Sequence, residues 1–264
     1  MLRFLVGDAV VFFVWIHASQ IDKPYGCENM KDVAVILAAA GQSSRFRDPH
    51  FKKVFITVHG KPVWQYSAQL ASDHPRVAQV ILTIAPEDKA MVQEKFTGNL
   101  TMLGVEIVLG GKERHHSVRN ALERVRSDIK LVAIHDAARP CLSKALLNQV
   151  IEAADKHGAA ILASPIRGTV KRANAQQQVA ETVSREGLWQ AQTPQVFRLD
   201  WIQKAYANAQ GNPTDDSQVA EMAGYRVAIV ESPETNLKIT TKEDLRTVEA
   251  LLKAPQRSTG NPFF

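Results

Sequence analysis

Residues 33–53 read VAVILAAAGQSSRFRDPHFKK. The apolar run Val33 to Leu37 has the length and composition of a strand buried within a sheet. It passes into Ala38-Ala39-Ala40-Gly41-Gln42-Ser43-Ser44-Arg45, where small side chains end in an arginine. Small side chains let backbone N–H groups approach and cradle phosphate oxygens, and a guanidinium then adds fixed positive charge. The stretch carries neither the GxGxxG fingerprint nor the Walker pattern, so by itself it also fits a tight strand-to-helix turn. Lys52 and Lys53 follow at the end of the loop, and the next apolar run ends at Gly60-Lys61-Pro62.

Working outward, further short apolar runs read as buried strands: Val80 to Ile84, Val105 to Leu109, Leu131 to Ile134 and Ala159 to Ala163. Amphipathic stretches separate them. Pro62 and Pro86 suit a first helical turn, Ser143 suits the cap of a helix running toward His157, and helices are expected from Asp200, Asp215 and Thr241. Thr241-Lys242-Glu243-Asp244 resembles a capping box. The alternation predicts one α/β domain, Rossmann-like, with a mostly parallel sheet and helices on both faces. Ligands of such sheets collect at the carboxyl ends of the strands, so the chemistry is expected after Leu37, Leu109 and Ile134. Residues 164–187 break the rhythm with alternating residues around a polar tip, which predicts a projecting β-arm that packs on something, a second subunit being one candidate.

The composition is that of an ordinary globular protein, with 45% hydrophobic and 22% charged residues over 264 positions. The net charge is +5 but the basic residues are scattered, which suits phosphorylated small molecules and gives no stripe for nucleic acid. Cys27 and Cys141 are too few for a disulfide scaffold, and a reducing, cytoplasmic setting is expected. Residues 1–29 read as an N-terminal extension: a signal-like segment, an interfacial anchor, or a stretch upstream of a start at Met30, the last being favoured. No membrane association is expected unless that extension is retained. The catalytic domain is expected over 30–253, with a flexible tail at 254–264.

Several segments then occur in a fixed order. They are Gly110-Gly111-x-x-Arg114-x-x-Ser117-Val118, His135-Asp136-Ala137-Ala138-Arg139-Pro140 and Thr169-Val170-Lys171-Arg172, then Arg185-x-Gly187-Leu188-Trp189-x-x-Gln192-Thr193-Pro194-Gln195 and Asn236-Leu237-Lys238-Ile239-Thr240. Together with the first loop they resemble the 2-C-methyl-D-erythritol 4-phosphate cytidylyltransferases of the non-mevalonate isoprenoid route, over essentially Met30 to Leu252. The resemblance implies transfer of a cytidylyl group from CTP to an alditol phosphate, with Mg2+ as cofactor and a homodimer joined through the arm. It implies that Ala39, Ala40, Gly41, Gly111 and Ser117 contact the nucleotide, and that Arg45 and Lys53 hold the triphosphate. It also implies that Asp136 positions magnesium or the ribose, and that Arg139, Thr169, Arg185 and Lys238 bind the incoming phosphate substrate or the α-phosphate, Lys238 also serving catalysis. Such chemistry needs no nucleophilic side chain, only fixed cations that bring two anions together.

Rival readings remain at this level. Ribitol 5-phosphate is the alternative acceptor, and a non-catalytic nucleotide-binding protein is the alternative class. Arg114, His115 and His116 also read as surface residues of a helix start, Asp215-Asp216 as an N-cap, Trp189 as core and Lys52 as a solvated neighbour of Lys53. The spacing between Arg45 and Lys53 is one residue longer than in relatives. Gly168 stands where an aspartate is common, and Ser43 where glycine is.

Overall fold

The computed structural model of the protein describes residues 31–42, Phe46 and residues 52–253. The expected extension at 1–29, the expected tail at 254–264 and Arg45 lie outside the described residues. Strand β1 (Val33–Ala38) is followed by the short pair β2 (Thr57–Val58) and β3 (Lys61–Pro62), then by helix α1 (Val63–Ser72). Next come β4 (Val77–Ile84), α2 (Lys89–Leu103), β5 (Val105–Leu109), α3 (Arg114–Leu122), β6 (Leu131–Asp136), α4 (Lys144–His157) and β7 (Ala159–Pro165). The chain continues through β8 (Val170–Ala173), β9 (Val179–Val183), β10 (Trp189–Arg198), α5 (Leu199–Asn208), α6 (Asp216–Met222), β11 (Ala228–Glu231) and α7 (Lys242–Lys253).

Seven strands form one sheet in the order β11-β7-β10-β6-β1-β4-β5. Strand β1 lies near its middle, parallel to both β4 and β6, and its alternate residues feed two cores. Val33, Val35 and Leu37 pack with α1, α4 and α7, whereas Ala34 and Ile36 pack with α3, α5 and α6. A strand covered on both faces has no polar side, which is why the run 33–37 is uniformly apolar.

The helices start where local chemistry places them. Ser143 Oγ accepts the Leu146 N–H at 3.2 Å, and Asp215 Oδ1 accepts the Gln218 N–H at 2.9 Å. Thr241 Oγ1 accepts the Asp244 N–H at 3.2 Å while Asp244 accepts the Thr241 N–H at 2.8 Å, a reciprocal cap. Pro62 stands just before α1.

The sheet is mixed, because β10 runs antiparallel to both β6 and β7. Neither β10 nor β11 is among the five strands read from sequence. Pro194 and the polar residues around it hide β10; the ladder with β7 breaks between Ala191 and Gln195, where the proline has no ladder bond to lose. Between β7 and β10 the chain leaves the sheet as a hairpin of β8 and β9, closed at its base by the pairing of Pro165 with Trp189. Asn174 Oδ1 accepts from the Gln176 and Gln178 N–H groups at 3.0 and 2.9 Å and shapes the tip. The arm is exposed along most of its length, and Trp189 at its root is 40% exposed rather than part of the core.

Candidate active site

An open cleft of about 570 Å³ lies at the carboxyl ends of β1, β5 and β6, where the sheet topology puts ligands. Its walls include Ala39, Ala40 and Gly41 on one side and Gly111, Arg114 and Ser117 on the other, with Lys53, Asp136 and Lys238 beside them.

The first wall is pinned to the sheet. The Ala39 N–H donates to the Thr83 carbonyl at 3.0 Å, and the Ala137 N–H donates to the Ala38 carbonyl at 3.1 Å. Opposite, the Gly110 N–H donates to the Ile84 carbonyl at 2.8 Å, and Ser117 Oγ accepts the Gly111 N–H at 3.1 Å. The two walls touch at Gly110, where a Cβ would meet Ala40 Cβ at 2.5 Å and Ser117 Oγ at 2.6 Å. Glycine is required there for close approach. Where Ala39, Ala40 and Gly41 face Gly111, backbone rather than long side chains borders the space, the arrangement that suits a base edge or a phosphate.

Asp136 ends β6 almost buried, its carboxylate 8% exposed. Oδ1 lies 3.3 Å from Arg114 Nε, and Oδ2 lies 2.7 Å from Lys238 Nζ and 3.8 Å from Arg139 Nε. Burial opposes its ionisation, but Arg114, Lys238 and Arg139 outweigh that and hold the carboxyl well below the usual carboxylate range. Burial also lowers Arg139, with Asp136 opposing.

The surroundings fix these groups. Thr193 Oγ1 accepts the Asp136 N–H at 3.0 Å and lies 3.0 Å from His135 Nδ1, whose Nε2 lies 3.2 Å from the Arg139 carbonyl. A proton on Nε2 satisfies both contacts, with Thr193 donating to Nδ1. Burial keeps this imidazole neutral, pushing it down to about 4. Arg139 Nη1 donates to the Asn236 carbonyl at 2.7 Å, and the Ile239 N–H donates to the Ala138 carbonyl at 2.9 Å. Asn236 Nδ2 donates to Gln192 Oε1 at 2.8 Å and to the Thr193 carbonyl at 3.0 Å. The segment carrying Lys238 is thus tied to the loop carrying Asp136.

Lys53 lines the cleft and Lys52 does not. Lys52 is no solvated neighbour: its side chain is 17% exposed and its Nζ lies 2.8 Å from Glu87 Oε1 and 2.7 Å from Asp88 Oδ2. Arg114 is likewise no surface residue, since it bridges Asp136 to the buried Asp216. The Gly110-Gly111-x-x-Arg114 motif flagged that arginine, but nothing local signalled its partner 102 residues away.

A family profile described as 2-C-methyl-D-erythritol 4-phosphate cytidylyltransferase matches residues 33–254. The chain belongs to this family. A protein of that name from Rhodopirellula baltica is 40% identical over 232 residues, 83% of this chain and 94% of its own. One from Bacillus velezensis is 36% identical over 227 residues, 84% of this chain and 97% of its own. The crystal structure of the Thermus thermophilus cytidylyltransferase gives a TM-score of 0.72 at 31% identity, covering 84% of this chain and 100% of that one.

As a cytidylyltransferase family member, the chain has two sets of expected residues in different places. Ala39, Ala40, Gly41, Gly111, Ser117, Lys53, Asp136 and Lys238 share the cleft, and Arg139 contacts Asp136 from behind it. Thr169 and Arg185 do not line the cleft; they lie exposed at the base of the arm, where the Arg185 guanidinium donates to the Arg167 carbonyl. Among the described residues no three His, Cys, Asp or Glu side chains gather as a metal cage, and no helix is long and apolar enough to cross a membrane. Among the described residues Asp136 is the one buried carboxylate lining the cleft, a donor that suits magnesium held chiefly by phosphate oxygens and water rather than an all-protein site.

Proposed function

We propose that the protein transfers the cytidylyl group of CTP to 2-C-methyl-D-erythritol 4-phosphate in the non-mevalonate isoprenoid route. An oxygen of the alditol phosphate attacks the α-phosphorus of CTP, the bond to the bridging oxygen of the β-phosphate breaks, and pyrophosphate leaves. The observation that carries this reading is the ring of Arg114, Arg139 and Lys238 around Asp136, set beside the backbone-lined cradle of Ala39, Ala40 and Gly111.

The chain's own groups divide the work. The small-residue loop and the Gly111 to Ser117 turn receive the nucleoside, and Lys53 meets the triphosphate. Lys238 and Arg139, held on Asp136 in the free protein, turn part of their charge to the incoming phosphate. Fixed cations of this kind lower the cost of bringing two anions together and stabilise charge on the α-phosphoryl oxygens. Magnesium arriving with CTP would be held by Asp136 and would neutralise phosphate charge. Thr169 and Arg185 stand outside the cleft of their own chain, which supports a homodimer whose arms serve the partner's cleft. The free, half-buried Cys141, its thiol pushed up to about 11 by burial, suits a reducing cytoplasm.

Pyrophosphate release from CTP, with methylerythritol phosphate and ribitol 5-phosphate offered separately, tests the reading. Release with the first acceptor supports it; turnover of ribitol phosphate alone defeats it.

A further inference from the structure

Asp136 is surrounded by three cations, yet only Lys238 is both in the cleft and free of a second fixed partner among the contacts around Asp136. Lys238 is 35% exposed and meets Oδ2 through a single Nζ contact; Arg139 approaches the same oxygen at 3.8 Å from behind the cleft, held by the Asn236 carbonyl. Arg114 differs. Its Nη1 and Nη2 donate to the two oxygens of Asp216 at 2.9 and 2.7 Å, which leaves Nε for Asp136 Oδ1. A bidentate pair fixes a guanidinium in orientation as well as in place.

Asp216 is fully buried and does not line the cleft. The Tyr206 hydroxyl donates to its Oδ1 at 2.6 Å. Its neighbours, the cap Asp215 and Ser217 of α6, are clamped to β10: Gln195 Nε2 donates to Asp215 Oδ2 at 2.8 Å, and Gln195 Oε1 accepts the Ser217 N–H at 2.8 Å. The chain of contacts therefore runs from the sheet through α6 and Arg114 to the cleft.

We propose that Arg114, locked by Asp216 and Tyr206, is a positioning residue that commits Oδ1 of Asp136 to the protein and leaves Oδ2 as the oxygen from which Lys238 is released to the substrates. Without the lock both oxygens of Asp136 turn to Lys238 and hold it back from the acceptor phosphate. The inference rests on the proposed cytidylyl transfer for its kinetic consequence and on geometry alone for its structural one.

The test uses Asp216→Asn and Tyr206→Phe, because neither side chain reaches the cleft and any effect on the reaction passes through Arg114. Asp216→Asn is expected to lower kcat about tenfold, less than the roughly 100-fold that outright loss of a fixed transition-state donor costs, and to raise KM for methylerythritol phosphate. CTP affinity by calorimetry is expected to stay within about twofold, since uniform nucleotide contacts are untouched. Tyr206→Phe is expected to act in the same direction more weakly, and it decides the matter where Asp216→Asn fails to fold. Folded variants with wild-type kcat and KM, or a loss confined to CTP affinity, overturn the proposal. Crystal structures of the variants decide it without turnover: a rotated Asp136 carboxylate supports it and an unmoved one refutes it. A wild-type chain that releases no pyrophosphate with this acceptor refutes the assigned reaction instead.

Discussion

Gly110→Ala strikes the contact that holds the two walls of the cleft together. The new Cβ would stand 2.5 Å from Ala40 Cβ and 2.6 Å from Ser117 Oγ. Carbon atoms settle about 3.5–4.0 Å apart, so the walls must part by about 1 Å. Ala40 has no rotamer to give, and Ser117 Oγ is held by the Gly111 N–H. Overpacking of this kind costs about 1–3 kcal/mol of stability. A displacement of about 1 Å near a reacting centre costs on the order of 100-fold in rate. Gly41→Ala is the companion, because its Cβ meets nothing within 4 Å. Its stability is expected within about 0.5 kcal/mol of wild type, while CTP affinity falls because the methyl group intrudes on the cradle. Denaturant unfolding, CTP calorimetry and initial rates of pyrophosphate release separate the two variants. Wild-type stability and rate in Gly110→Ala would show that the walls do not act together; wild-type CTP affinity in Gly41→Ala would remove that loop from the cradle.

Lys53→Ala is expected to lower kcat by about 100-fold with little change in unfolding free energy, whereas Lys52→Ala loses about 1–2 kcal/mol of stability by stripping Asp88 of its partner. Reversed effects would exchange the two assignments. His135 gives a pH signature: its usual value is 6.5 and its folded value about 4, so between these the unfolded chain binds the extra proton and stability falls as pH falls. The total is about 3 kcal/mol from pH 6.5 to 4, absent in His135→Gln, and urea midpoints across that range check it. If arms serve the partner's cleft, mixing inactive Arg185→Ala with inactive Lys53→Ala restores about a quarter of wild-type activity, since half the dimers are hybrids with one intact site. No recovery after subunit exchange would place Arg185 in its own chain's site or outside the reaction.

What the sequence reveals follows the range of the interactions. The apolar runs in β1, β6 and β7 are legible because strands covered on both faces exclude polar residues, the runs in β4 and the edge strand β5 are legible despite Thr83 and Glu106, and Ser143, Asp215 and Thr241 cap helices through bonds spanning three residues. Strand β10 escapes because Pro194 and its polar neighbours disguise a central strand whose irregularity falls where pairing lapses. Trp189 misleads because size alone says core, while the arm carries it away from the sheet. Lys52 finds partners 35 and 36 residues on, and Arg114 finds Asp216 only once β6, β10 and α6 have assembled. Local motifs named the cleft; long-range ion pairs decide how its charges are held.

The most direct test of cytidylyl transfer is phosphorus NMR of the wild-type chain incubated with CTP, magnesium and methylerythritol phosphate. The expected result is loss of the CTP and monophosphate signals, with matching gain of pyrophosphate and of a coupled pair from a new diphosphate diester. Intact CTP and intact acceptor, or a diester formed only with ribitol 5-phosphate, would contradict the assignment.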